Sequence, residues 1–189
     1  EHGIYRLPLA RAFAPKRIVE MEGWIRELAI DLIENLAPKG RGEFLAEVGE
    51  PMPVTVFMRM MGMPLDRLHE FRSWMHAIAS DSQERRSQAF ANIAQAMGEL
   101  IEARKVKPGT DLISHLLASD LDGRKPDMRD MQSYCLLLFT AGLDTLVNTF
   151  TFGMYQLARD EALQRRLQAN PGLVPDLIEE ILRRYGIAM

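Results

Sequence analysis

The stretch DMRDMQSYCLLLFTAGLDTLVNTFTFGMYQL, residues 127–157, decides the fold. Its apolar positions recur three and four apart on more than one face, which predicts a long helix buried in the middle of a molecule. The same spacing runs along almost the whole chain and two-residue alternation is nearly absent, so the fold class is all-α. Just upstream, Asp122 and Gly123 give a turn signal within Asp120–Pro126, expected to close a minor β hairpin.

Further toward the N-terminus, a first helix ends near Phe13 and Pro15 sits at a good first-turn position. Ile18, Met21, Ile25, Leu28, Leu32 and Leu36 then line one face until Pro38 and Gly40 stop the helix. Glu43–Pro51 reads as irregular, with room for a short strand. A Met-rich segment, Val54–Met61, ends at Gly62, and Pro64 starts a helix holding Leu68, Phe71, Met75 and Ile78. After a polar stretch, Ser80–Arg86, an amphipathic helix reaches about Lys105. Lys107, Pro108 and Gly109 break it, and Thr110 or Asp111 caps the next. Two shorter helices close the chain, split by Asn170, Pro171 and Gly172. Neither a repeat nor a linker divides the sequence, so one domain is expected.

Lys and Arg number 23 against 26 Asp and Glu, and no basic run offers a track for phosphates, which argues against a nucleic-acid partner. The longest apolar run, around Cys135–Gly142, is shorter than the roughly 18–20 residues a bilayer demands, so no membrane and a cytoplasmic location are expected. Cys135 is the sole cysteine, which rules out an internal disulfide. The chain opens at Glu1 and stops at Met189 directly after a helical pattern, as an internal piece of a longer protein would.

Chemistry concentrates at Ala141, Gly142, Leu143, Asp144 and Thr145. Glycine costs about 0.8–1 kcal/mol relative to alanine inside a helix, and a buried carboxylate needs a partner. One reading is structural: Thr145 bonds back to the Ala141 carbonyl and Asp144 reaches an arginine on a neighbouring element. The other is functional: the helix opens there for a small ligand or water beside a proton-delivering pair. Glu180 and Arg183, three apart, share a helix face and by themselves make an ordinary ion pair. His2 and Arg6, four apart, would point two donors toward one anion. His69 and His76 lie two turns apart, roughly 10 Å between Cα atoms, too far to share a metal.

Taken in order, these fragments resemble the middle of a cytochrome P450 from its C helix to its K helix. Glu1, His2 and Arg6 resemble the H-x-x-x-R haem-propionate motif, and Ala12-Phe13-Ala14-Pro15 the A-F-x-P that follows. Gly62-Met63-Pro64 with Phe71 resembles the turn into the F helix, and Pro108–Ile113 the entry to the H helix. Ala141–Thr145 is similar to the I-helix A-G-x-D-T motif, and Glu180 with Arg183 to the K-helix E-x-x-R. Leu136–Tyr185 is most like the camphor 5-monooxygenase group of bacterial class I enzymes, which implies a small hydrophobic substrate such as a terpenoid.

The resemblance implies a monomeric, partly represented P450 fold, haem b as cofactor, O2, and electrons from NAD(P)H through a ferredoxin and its reductase. It assigns oxygen activation to Asp144 and Thr145. Haem contacts fall to His2, Arg6, Ala141, Gly142 and Thr145, and the substrate pocket to Leu137, Thr140, Ala141 and Ala79. Glu180 and Arg183 would brace the core, and Arg72 would pair with Asp144. The family's haem ligand, the cysteine of F-x-x-G-x-x-x-C-x-G, has no counterpart here, and Cys135 lies upstream of the oxygen motif. The chain by itself is therefore expected to be inactive. The rival reading is a non-catalytic helical module that encloses a hydrophobic ligand.

Overall fold

The computed structural model describes residues 2–186; the side chain of His2, a predicted haem contact, lies outside what is described. Ten α-helices are described: α1 His2–Ala12, α2 Pro15–Leu36, α3 Pro51–Met61, α4 Leu68–Ile78, α5 Gln83–Val106, α6 Leu112–Ala118, α7 Met128–Gly142, α8 Asp144–Arg159, α9 Glu161–Ala169 and α10 Val174–Arg184. The expected all-α class is observed.

Two local expectations give way. The Asp122-Gly123 turn forms, with φ of 58° and 86°, and Leu121 N–H donates to the Arg124 carbonyl at 2.8 Å. No strand flanks it among the described residues, so the hairpin is only a turn. The arms are engaged elsewhere: Arg124 binds Asp130, Lys125 Nζ donates to the Ala118 carbonyl at 2.6 Å, and Pro126 has no N–H to offer a ladder. The segment read as irregular before Pro51 is a π-helical turn, Leu45–Gly49. The Glu43 carboxylate accepts from Leu45 N–H at 3.3 Å and Ala46 N–H at 2.6 Å, and Glu50 N–H reaches five residues back to the Leu45 carbonyl at 2.9 Å. That wide turn brings Glu50 onto α4.

The core collects the apolar stripes of α3–α7. Val54, Met58 and Met61 from α3, Phe71 from α4, Ile93 and Ile101 from α5, Ile113 and Leu116 from α6, and Met131 and Phe139 from α7 are all buried. Phe139 stands edge-on to Phe57, centroids 5.7 Å apart, and lies 6.1 Å from Phe71. Each such pair is worth about 0.5–1.5 kcal/mol beyond its buried area. Asp111, rather than Thr110, caps α6 by accepting from Ser114 N–H at 2.9 Å. α1 stays helical through Pro8 and is tied to α7 by Tyr134 Oη, which donates to the Tyr5 carbonyl at 2.9 Å.

The long helix of residues 127–157 is not buried all round. Met131, Tyr134, Cys135, Phe139, Leu143 and Val147 form its covered face, while Leu136, Leu137, Leu146, Phe150, Phe152 and Tyr155 stay exposed. Met128–Arg159 also holds an 18-residue window of mean hydropathy 1.4, so by length and composition alone it could cross a membrane, which the longest unbroken apolar run did not reveal. It is interrupted at Leu143, where α7 ends and α8 begins.

Candidate active site

The interruption falls inside the stretch predicted to carry chemistry. Leu143 has φ −92° and ψ −57°, and its buried side chain anchors the junction while Gly142 and Asp144 flank it. Thr145 Oγ1 donates to the Ala141 carbonyl at 2.8 Å. Thr140, Thr149 and Thr151 make the same bond four residues back, each at 2.8 Å. Threonines that bond backward in this way bend helices, and two of them, Thr140 and Thr145, bracket Gly142. A Cβ built on Gly142 would meet nothing within 4 Å, so the backbone faces open space.

Leu137, Thr140, Ala141 and Asp144 lie on one exposed face, with Gly142 and Thr145 half-exposed beside them. This groups Leu137, Thr140, Ala141, Gly142, Asp144 and Thr145 on one continuous strip, small and apolar except for a carboxylate and hydroxyls. Asp144 occupies the first position of α8. It makes no salt bridge among the described residues.

Arg72 does not pair with Asp144. Its guanidinium donates to Glu50 Oε2 through Nε at 3.2 Å and Nη2 at 2.7 Å, and Nη2 also reaches the Ala46 carbonyl at 3.3 Å. His76 Nε2 lies 2.8 Å from the other carboxylate oxygen. Burial alone would raise the Glu50 carboxyl, but the hydrogen bonds from Arg72 and then His76 outweigh it and hold the group below its usual range. The π turn accounts for this partner, because it carries the Glu50 carboxylate onto α4. Sequence reasoning missed Glu50; the available signal was Arg72 and His76, four apart on one face of α4.

The remaining candidates lie apart from this strip. Ala79 is exposed at the end of α4. Arg6 is exposed on α1 and has no acidic partner among the described residues, which leaves it available to a carboxylate. Glu180 and Arg183 form a two-pronged pair on α10, both N···O distances 2.6 Å, and that contact lowers the Glu180 carboxyl and raises the Arg183 guanidinium. α10 packs on α8 through Tyr185, whose ring stacks on Phe152 at 5.0 Å, and Ile181, against which a Cβ on Gly153 would press at 3.1 Å. Cys135 is buried and burial pushes its thiol up to about 12, so it stays protonated and is no thiolate ligand.

The Cytochrome P450 family profile matches residues 16–172. The polyketide biosynthesis cytochrome P450 PksS of Bacillus subtilis is 28% identical over 186 residues, covering 97% of this chain and 46% of that protein. Nocardicin C N-oxygenase of Nocardia uniformis is 30% identical, covering 97% and 47%. The crystal structure of CYP101J2 superposes with a TM-score of 0.88 at 32% identity, covering 97% of this chain and 46% of the other. The chain thus spans about half the length of the relatives it matches. The helix interruption with its glycine and threonine accords with that profile, which covers most of the residues, and the chain belongs to the cytochrome P450 family.

Proposed function

We propose that this chain is the central part of one cytochrome P450 domain, an O2-dependent haem monooxygenase that hydroxylates a small hydrophobic substrate of terpenoid type. The observation that carries the proposal is the opening at Leu143, with Gly142 against open space and Asp144 and Thr145 immediately after it on an exposed apolar strip. The residues fit a haem: a porphyrin needs a flat, small-residue wall and cations for its carboxylates, and Ala141, Gly142 and Arg6 meet those needs. When bound, haem b with a cysteine ligand from outside this chain supplies O2 binding and two-electron chemistry.

This chain's own residues would handle position and protons. With haem bound, Thr145 Oγ1 would turn from the Ala141 carbonyl, donate its one proton into the pocket and accept from a water held beside it. Asp144, exposed at the head of α8, takes protons from solvent and passes them toward that hydroxyl. Leu137, Thr140 and Ala141 exclude bulk water and shape the substrate pocket, with Ala79 at its margin. Arg6, with His2, holds the propionates, while the Glu180–Arg183 pair braces the core. Electrons from NAD(P)H would arrive through a ferredoxin and its reductase on the basic side near Arg6, in a monomeric, cytoplasmic enzyme. The test is Thr145→Ala in the whole protein. Substrate binding should persist while NAD(P)H oxidation uncouples from product and leaks peroxide; tight coupling would refute the role given to Thr145.

A further inference from the structure

Glu50 stands where an acid would cap α3, yet its carboxylate makes no bond to that helix. The sequence Glu50-Pro51-Met52-Pro53 gives the reason, because prolines remove two of the first three N–H groups that a cap would serve. The buried acid turns instead to α4, where Arg72 holds Oε2 and His76 holds Oε1. A carboxylate only accepts, so the His76 ring donates from Nε2. The π turn beneath this acid is itself held in place, since it packs against α2, α3 and α8.

α4 has little else to fix its far end. Phe71 is the only buried side chain of this helix, and beyond it Trp74, Met75 and Ile78 are half-buried. His76 is exposed, so what it adds is the bond to Glu50 rather than packing. Ala79 closes the helix three residues later, its N–H bonded to the Met75 carbonyl at 3.4 Å, and the chain bends at residues 80–81 toward α5. A single polar contact would let α4 pivot about Phe71; two contacts one turn apart, about 6 Å along the axis, do not. We infer that Arg72 and His76, joined on Glu50, form a two-point clamp that seats the last turn of α4, with His76 the positioning residue that fixes where Ala79 meets the substrate. The inference rests on the function proposed above, which puts Ala79 at the margin of the pocket.

His76→Ala and His76→Gln in the whole protein test the clamp, because glutamine carries an N–H at similar reach and alanine carries none. Amide hydrogen exchange comes first, since it needs neither substrate nor turnover. His76→Ala should speed exchange at residues 76–79 roughly threefold to tenfold, as the loss of one partly solvated hydrogen bond to a charged group does, and leave residues 93–101 of α5 unchanged. His76→Gln should restore the slow rates. Binding of camphor, cineole and limonene, read by equilibrium dialysis, should weaken by a similar factor in His76→Ala and recover in His76→Gln. Unchanged exchange at residues 76–79, acceleration spread equally through α5, no rescue by glutamine, or faster exchange with undiminished binding would overturn the inference. If the unsubstituted protein binds none of the three, the terpenoid reading is refuted instead, and exchange alone decides the clamp.

Discussion

Gly142→Ala separates a structural glycine from a functional one. Gly142 closes α7, does not have positive φ, and has open space where a methyl would go. Alanine there gains helix propensity and restricts the unfolded chain, together about 0.5–1 kcal/mol in favour of the fold. For a chain of this size that raises Tm by about 1–4 °C. Urea and thermal unfolding of the chain, followed by circular dichroism, measure this directly. In the whole protein, the same methyl would intrude on the wall proposed to face the haem, so turnover and coupling should fall although stability rises. A loss of stability would show that the space is not open. Undiminished, fully coupled turnover would show that it is not used.

Acid should loosen the contact of the π turn with α4. The folded-state Glu50 carboxyl sits below its unfolded value near 4.5, so its stabilising contribution is complete above that pH and fades as pH falls through the lower folded value. Glu50→Gln should cost about 1–3 kcal/mol at neutral pH and remove this part of the acid dependence; an unchanged acid-unfolding curve would refute it. Asp130 is held down to about 2 first by Arg124, so its contribution is complete above its unfolded value near 3.8 and is lost as pH falls from there to about 2; Asp130→Asn should remove the acid dependence in that window. The isolated chain, reduced and given haem and carbon monoxide, should lack the absorption band of a thiolate-ligated haem, because the Cys135 thiol is buried and protonated; seeing that band would contradict the assignment of the ligand to another segment.

The helices and their breaks were legible because they rest on local rules: apolar spacing, Pro15 at a helix start, Gly62 at a helix end with φ 79°, Asp111 as a cap. The opening of the central helix was legible too, since a glycine followed by an acid and a threonine is locally awkward whatever surrounds it. What escaped was choice among distant partners. Arg72 could have met either of two acids, and only the π turn, which depends on Glu43 folding back over Leu45 and Ala46, decides for Glu50. The turn at Asp122-Gly123 was read correctly but its strands were not, because Arg124 and Lys125 are claimed by Asp130 and the Ala118 carbonyl. The exposed half of the central helix, read as buried, depends on what lies against it rather than on its own sequence.

The seam at Leu143 makes α8 a lever with a short fulcrum. α7 is bolted to the core by Phe139 and Tyr134, whereas α8 rests on the π turn, α9 and α10. With 16 residues, α8 is about 24 Å long, so a 10° change in the torsions of one leucine sweeps its far end by about 4 Å while Thr145, at the pivot, hardly moves. Displacements of α10 and its ion pair can therefore be absorbed along the arm without disturbing the hydroxyl.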